Sequence, residues 1–275
     1  MSTREKRHHH DHEARSGIRR ARGWYRSVRL VLAASVVGFL VACTPTLPYR
    51  AAAKVVAVYP HATDAFTQGL VFDGPTLYES TGLYGESSLR RVDLETGEVL
   101  QMQRLPDDYF AEGCTVWDEH IIQLTWKAGV GFVYDKESFA FEREFTYAGE
   151  GWGLTHDGER LIMSDGSSYL RFLDPETFEE TGRIQVIDEG APVEQLNELE
   201  WTQGEVWANV WQRPEVVRVE AETGRVLGWI DFSELVEREP SGVLNGIAVR
   251  GRRVFVTGKR WTSIYEVKIK PADSS

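Results

Sequence analysis

Between about residue 55 and residue 270 the chain is a succession of short runs in which apolar and polar residues alternate, separated by Gly, Asn and Asp. A period of two predicts strands with one buried face. One phrase recurs: a strand ending on an acidic residue, followed by a turn. It stands at Leu89–Asp93 before Leu-Glu-Thr-Gly97, and at Phe132–Asp135 before Lys-Glu-Ser138. It returns at Leu170–Asp174 before Pro-Glu-Thr177 and at Val217–Glu220 before Ala-Glu-Thr-Gly224, with a fainter copy at Ile264–Val267. The acidic positions 93, 135, 174 and 220 are 42, 39 and 46 residues apart. An acidic side chain there can accept from the amides of the turn, and Gly97 or Gly224 can adopt positive φ at little cost.

A second apolar strand precedes each phrase, at Thr76–Glu79, Ile121–Thr125, Arg160–Met163, Val206–Val210 and Val254–Thr257. Asp73-Gly74 and Asp157-Gly158 favour hairpins between strands. Several short strands repeated every forty-odd residues is the pattern of a β-propeller blade. The 216 positions from 55 to 270 hold five of them, so the expected fold is an all-β, five-bladed β-propeller. Val55–Tyr59 is expected to complete the sheet begun by Tyr265–Ile269 and so close the ring, leaving no long open edge. One short helix is expected near the last blade, at Phe232–Arg238, with Asp231 as N-cap and an apolar stripe at Phe232, Leu235 and Val236. A two-sheet sandwich explains the alternation equally well, but not the period.

Charge divides the 275 residues into two parts. Residues 1–42 hold nine Lys/Arg against three Asp/Glu, so of the overall −11 the remainder carries −17. So acidic a body excludes a nucleic-acid-binding role, which needs a cationic surface. Leu30–Ala42 is thirteen residues without a charge, too short for a permanent span and suited to a signal-peptide core. Leu40-Val41-Ala42-Cys43 looks like a bacterial lipobox. Residues 1–42 are therefore expected to be a lipoprotein signal peptide, and 43–54, with Cys43 lipidated, a tether to the membrane; the alternative is an ordinary secretory signal or an uncleaved anchor. The domain at 55–270 would then work outside the cytoplasm, on the periplasmic side in a Gram-negative cell. His8–His12 falls in the part expected to be removed. With Cys43 lipidated, Cys114 has no intrachain partner, and the fold cannot depend on a disulfide.

A propeller gathers the loops of its blades at one end of a central channel, so residues the blade pattern does not require carry the information. Phe66-Thr-Gln68-Gly-Leu70, Phe110-Ala-Glu112-Gly-Cys114, Glu150-Gly-Trp152-Gly-Leu-Thr155 and Asn197-Glu-Leu-Glu-Trp201 share one form, and Val256-Thr-Gly-Lys259 follows in the last blade. Each sets a polar or aromatic side chain beside Gly or a strand start. Trp126, Trp152 and Trp211 sit where strands pass into connections, and could wall a pocket. Glu112 is either a proton carrier in that pocket or a carboxylate capping a loop or pairing with Lys259.

These segments carry a resemblance. Phe66–Leu70, Glu79–Gly85, Glu112–Cys114, Gln123–Lys127, Gly151–Thr155, Leu196–Glu200, Val206–Trp211, Leu244–Ala248 and Thr257–Lys259, in order through all five blades, resemble the glutaminyl-peptide cyclotransferases of the plant and bacterial type. Members of that family are five-bladed propellers that convert the N-terminal Gln of a peptide to pyroglutamate and release ammonia. The resemblance implies Glu112, Asn197 and Lys259 as catalytic residues, with Glu112 moving the proton and the other two stabilising the oxyanion. It implies substrate binding by Phe66, Gln68, Phe110, Trp126, Trp152 and Trp211. Catalysis would need no cofactor or metal, although some plant members carry an ion in the central channel, for which the resemblance leaves room here. The partners expected are peptides or proteins with N-terminal Gln and, through the lipid, a membrane; the chain is expected to be a monomer. Two rivals are a non-catalytic propeller lipoprotein that scaffolds envelope complexes and a metal-dependent propeller hydrolase of the lactonase sort.

Overall fold

The computed structural model describes residues 49–240 and 242–271. The leader, Cys43 and the His8–His12 cluster lie outside the described residues. Within them are 22 strands and one short helix. Twenty of the strands form five antiparallel blades of four. The first blade runs outward as Thr67–Asp73, Thr76–Thr81, Ser88–Val92 and Val99–Arg104. The second is Ala111–Trp117, His120–Thr125, Val130–Asp135 and Phe141–Thr146. Leu154–His156, Leu161–Ser164, Tyr169–Leu173 and Glu180–Gln185 make the third. Leu196–Thr202, Glu205–Val210, Glu215–Glu220 and Val226–Asp231 make the fourth. The fifth takes Leu244–Arg250, Arg253–Gly258 and Ser263–Pro271, and its outer strand is Arg50–Pro60 from the other end of the chain.

The strand named first in each blade is innermost, and these five pack on one another around the axis. Apolar side chains fill the wedges between blades, one cluster to each wedge. Leu89 and Tyr78 meet Ala111 and Ile121; Ile122 and Leu124 meet Leu161 and Met163. Leu170 and Ile162 meet Leu199 and Val206; Val216 and Ile230 meet Leu244 and Val256. The fifth cluster, Leu70 and Leu77 against Ala248 and Phe255, joins the last blade to the first and completes the ring. An expected propeller of five blades is what the alternation builds.

The recurring acidic residue makes the expected turn. Asp93 accepts from the Thr96 amide at 2.8 Å, Asp135 from Ser138 at 2.8 Å and Asp174 from Thr177 at 2.8 Å, while the Glu220 carboxylate takes the Thr223 hydroxyl. Four residues after each acid the backbone turns left-handed: Gly97 at φ 71°, Phe139 at 58°, Phe178 at 61° and Gly224 at 74°. The two phenylalanines hold a conformation that favours glycine because their rings are buried, at 2% and 4% exposure.

Three details differ from the sequence pattern. The closing strand begins at Arg50 rather than Val55, so residues 50–54 of the expected tether belong to the sheet. Arg50–Ala52 there also pair in parallel with Trp229–Asp231 of the fourth blade, which binds the ring's seam on a second side. The helix is Ser233–Arg238 with Phe232 as N-cap; Asp231 stands one position too early for the cap, though its carboxylate still accepts the Ser233 amide at 2.9 Å. Lastly, a small hairpin, Ile187–Asp188 with Ala191–Pro192, is inserted between the third and fourth blades.

Candidate active site

The inner strands begin alike. Gln68-Gly69, Glu112-Gly113, Trp152-Gly153, Asn197-Glu198 and Asn245-Gly246 occupy equivalent places, one pair per blade. In four blades the pairing of inner and second strand slips at this pair, between Thr67 and Gly69, Ala111 and Cys114, Leu196 and Leu199, and Leu244 and Ile247. Such a bulge takes a residue out of the strict alternation and re-aims its side chain. Gln68, Glu112 and Asn197 are thereby turned into the end of the channel instead of a wedge between blades. Glycine follows because the inner strands crowd there: a Cβ on Gly113 would lie 2.6 Å from the Leu154 nitrogen and from the Trp152 oxygen.

A second set of residues stands where each second strand ends. One backbone bond places them in three blades: the Trp126 amide donates to the Phe110 carbonyl, that of Trp211 to Gln195 and that of Lys259 to Val243, each at 2.9 Å. Both sets meet around a cavity of about 290 Å³ lined by Phe66, Gln68, Phe110, Glu112, Trp126, Trp152, Asn197, Trp211 and Lys259. All nine catalytic and binding positions singled out from the sequence are therefore brought together; the remaining site residue, Cys43, lies outside the described residues.

The walls are a chain of rings. Phe66 and Phe110 meet edge to face at 6.1 Å, Phe110 and Trp126 at 5.5 Å, and Trp152 and Trp211 at 5.9 Å. The polar groups between them are buried: Gln68 is 3% exposed, Glu112 4%, Asn197 2% and Lys259 6%. Second-strand serines hold the backbone under two of them. Ser80 donates to the Glu112 carbonyl and is itself held by Gln123 at 2.7 Å, while Ser164 donates to the Asn197 carbonyl at 2.7 Å.

Electrostatically the cavity is unusual. Burial pushes the Glu112 carboxyl well above the ordinary carboxylate range; Lys259 opposes that rise and the Glu150 charge adds to it. Burial also lowers the Lys259 ammonium to about 8, with Glu112 opposing. Among the described residues neither group forms an ion pair or a side-chain hydrogen bond, although the Lys259 Nζ lies 4.9 Å from the centre of the Phe66 ring. The two are charge-coupled yet uncommitted, and both line the space a ligand would fill.

Three residues behind the lining were not singled out from the sequence. Asn245, at the fifth inner-strand position, donates through Nδ2 to the Thr67 carbonyl at 2.9 Å and to Gln68 Oε1 at 3.2 Å. Since a backbone carbonyl only accepts, that contact sets which way the Asn245 amide points. It follows that Gln68 turns its oxygen to Asn245 and keeps its NH₂ as a donor. Glu198 stands where the four other blades have glycine; its carboxylate accepts the Leu70 amide at 3.3 Å and the Ile247 amide at 2.8 Å, linking three blades across the axis. Glu150 accepts both indole N–H groups of Trp126 and Trp152. The Asn-Gly and Glu-Gly-Trp pairs that carry two of these are visible in the sequence; their partners are not.

No group of three or more His, Cys, Asp or Glu that could hold a metal ion occurs among the described residues. Cys114, next but one to Glu112, is buried and its thiol is pushed far up by burial.

Ring closure and cavity together define a five-bladed propeller with an aromatic pocket, one carboxyl and one ammonium at the end of its channel. A sequence profile described as glutamine cyclotransferase matches residues 30–269. The glutaminyl-peptide cyclotransferase of Arabidopsis thaliana is 44% identical over 231 residues, which is 80% of this chain and 72% of that one. The crystal structure of the Myxococcus xanthus glutaminyl cyclase superposes with a TM-score of 0.78 at 40% identity, covering 82% of this chain and 100% of its own. The chain belongs to the glutamine cyclotransferase family.

Proposed function

We propose that the protein is a glutaminyl-peptide cyclotransferase, an acyl-transfer enzyme that needs no metal and uses Glu112 as its proton carrier. Nucleophile and electrophile sit in one substrate residue. The α-amine of the N-terminal Gln attacks its own side-chain amide carbon, closing a five-membered ring. The enzyme's first task is to hold that side chain folded, and fixing a reactive conformer is worth several kcal/mol. Phe66, Phe110, Trp126, Trp152 and Trp211 supply walls for it. Gln68, with its NH₂ held toward the cavity, is a donor for the substrate's carbonyl groups.

The second task is to move one proton. The attacking amine loses it and the departing nitrogen gains it, so that ammonia, not amide anion, leaves. Glu112 accepts the proton from the first nitrogen and delivers it to the second, and ends the cycle ionised as it began. A carboxyl that burial holds well above the ordinary carboxylate range can do both at modest cost. The carbonyl oxygen becomes negative in between, and Lys259 with the Asn197 amide stabilises it; removing one such donor costs about 10²–10³ in rate.

The observation that carries this reading is the buried Glu112 carboxyl, without a hydrogen-bond partner among the described residues, in one aromatic cavity with Asn197 and Lys259. The experiment is to incubate purified protein with a Gln-initiated peptide and follow ammonia, with and without EDTA. We expect release in both cases and none from Glu112→Gln, whose melting temperature does not fall. Absence of ammonia at every pH between about 6 and 9, where the α-amine and Lys259 titrate, would end the enzyme reading, and sensitivity to EDTA would end metal independence. We further propose export, lipidation at Cys43 and action as a membrane-anchored monomer; the intact mass of the native N-terminus tests the lipid, and light scattering the monomer.

A further inference from the structure

The aromatic wall has a gap in its ring-to-ring chain between Trp126 of the second blade and Trp152 of the third. What joins them is a carboxylate. Glu150 Oε2 accepts from Trp126 Nε1 at 2.7 Å and from Trp152 Nε1 at 2.9 Å. Its other oxygen faces Lys127 Nζ at 3.9 Å, and that ammonium lies 3.9 Å from the centre of the Trp126 ring. A rim carboxylate whose sole partner was this lysine would be an ordinary surface ion pair, worth little. Here one oxygen is given wholly to two indoles from two blades.

We infer that Glu150 is a positioning residue for the substrate cavity, clamping the Trp126 and Trp152 indoles so that their faces line the cavity and their N–H groups stay out of it. The inference rests on the cyclotransferase reading and deepens it. Two consequences follow from the chemistry. Each indole loses its freedom to rotate, so the wall is already shaped before the Gln side chain arrives, and less ordering cost falls on binding. Each also loses its ability to donate to the substrate. The substrate amide oxygen is then left with Gln68, Asn197 and Lys259 as donors. A loose indole N–H would compete with them and hold the amide in an unproductive register.

The test compares the full-length protein with Glu150→Ala and Glu150→Gln, using a Gln-initiated dipeptide amide as probe. In ¹H–¹⁵N spectra the two clamped indole signals, assigned through Trp126→Phe and Trp152→Phe, are expected downfield of the other tryptophans. Both should move in Glu150→Ala. Glu150→Gln keeps a neutral acceptor and should retain part of the displacement. Hydrogen bonds to a charged group are worth enough that losing them should raise KM about tenfold in the alanine variant. The fall in kcat should be smaller, and the glutamine variant should recover most of the KM. Unmoved indole signals in either variant would overturn the clamp, as would a KM within twofold of wild type in Glu150→Ala. If the alanine variant does not fold, the glutamine variant's indole signals decide alone. Because the spectra need no turnover, absence of ammonia would refute the enzyme reading while leaving the clamp to be judged separately.

Discussion

Lys259 carries a cost in folding that its removal should reveal. Its ammonium is buried and its pKa falls from 10.5 to about 8. That drop corresponds to about 3 kcal/mol of penalty on the charged form. Between about pH 8 and pH 10.5 the unfolded chain binds the proton and the folded one does not, so stability rises with pH across that window. Below it the penalty is present in full; above it the penalty is gone. Lys259→Met removes the charge and retains an unbranched side chain of similar reach. It also forfeits the cation–π contact with Phe66, worth about 1 kcal/mol. The net expectation at pH 7 is a gain of about 2 kcal/mol, or a rise of about 4–8 °C in melting temperature for a domain of this size. At about pH 9.5 the penalty in the wild type has fallen by roughly half, and the variant's advantage should shrink with it. The same variant should lose about 10²–10³ in kcat if the ammonium stabilises the oxyanion. Calorimetry at the two pH values, set beside ammonia release, makes the measurement. A melting temperature that falls at pH 7, or a gain that does not diminish with pH, would refute the reasoning about burial.

Other expectations follow from neighbouring groups. The rate should fall as pH rises past about 8, where Lys259 loses its proton, and should fall on the acid side above the ordinary carboxylate range, where Glu112 is protonated; a pH–rate profile of kcat/KM with an alkaline limb at 10 or beyond would contradict the first. Gly113→Ala sets a methyl 2.6 Å from fixed backbone atoms of the next blade and should cost about 3 kcal/mol or more, read as a lowered urea midpoint. The pair of His61 and Glu79, 2.9 Å apart and buried, should cost about 3–5 kcal/mol when Glu79→Ala leaves the imidazole without its partner. Burial alone would lower the His61 pKa and raise that of Glu79, but their mutual attraction, with the Trp261 carbonyl and the Thr67 hydroxyl, reverses both. Stability from the pair is accordingly lost as pH rises through the raised value of His61 and as it falls through the lowered value of Glu79, which denaturant titrations at several pH values would detect.

Local chemistry repeated five times was legible in the sequence, whereas contacts made between blades were not. Alternation and the acidic turn phrase depend on neighbours within a few residues, so Asp93, Asp135 and Asp174 announce their turns directly. Phe139 and Phe178 conceal only the left-handed residue that closes two of these turns, because a bulky residue accepts that backbone only when its burial outweighs the strain. Gln68, Glu112, Asn197, Lys259 and the three tryptophans stand out because each breaks the blade pattern beside a glycine or a strand end, whereas Phe66 and Phe110 as walls, and the roles of all nine, rest on the family resemblance. Asn245 breaks it in the same way but faces Gln68, not the cavity, and only the approach of the first and fifth blades reveals that. Glu150 looks like one more surface acid; nothing in the chain order tells that two tryptophans 24 residues back and two ahead will turn their nitrogens to it. The early start of the closing strand, at Arg50, was masked by Ala51, Ala52 and Ala53, whose small side chains carry little alternation.

Why the chemistry collects at one end of this ring can be argued from the bulges. A strand in strict alternation offers its neighbours a wedge face on either side, and neither face looks along the axis. The slip at Gln68, Glu112, Asn197 and Asn245 supplies a third direction at the same position in four of the five blades, so one backbone device repeated around the ring aims three different side chains into the cavity and a fourth, Asn245, onto Gln68. Its cost is that these side chains are polar, close together and removed from water, which is the condition that raises Glu112 and lowers Lys259. The wedges of apolar residues between all five blades carry the fold despite it. A site of this kind should therefore gain stability from the very substitutions that abolish its activity, and Lys259→Met is the position where gain and loss can be read from one protein.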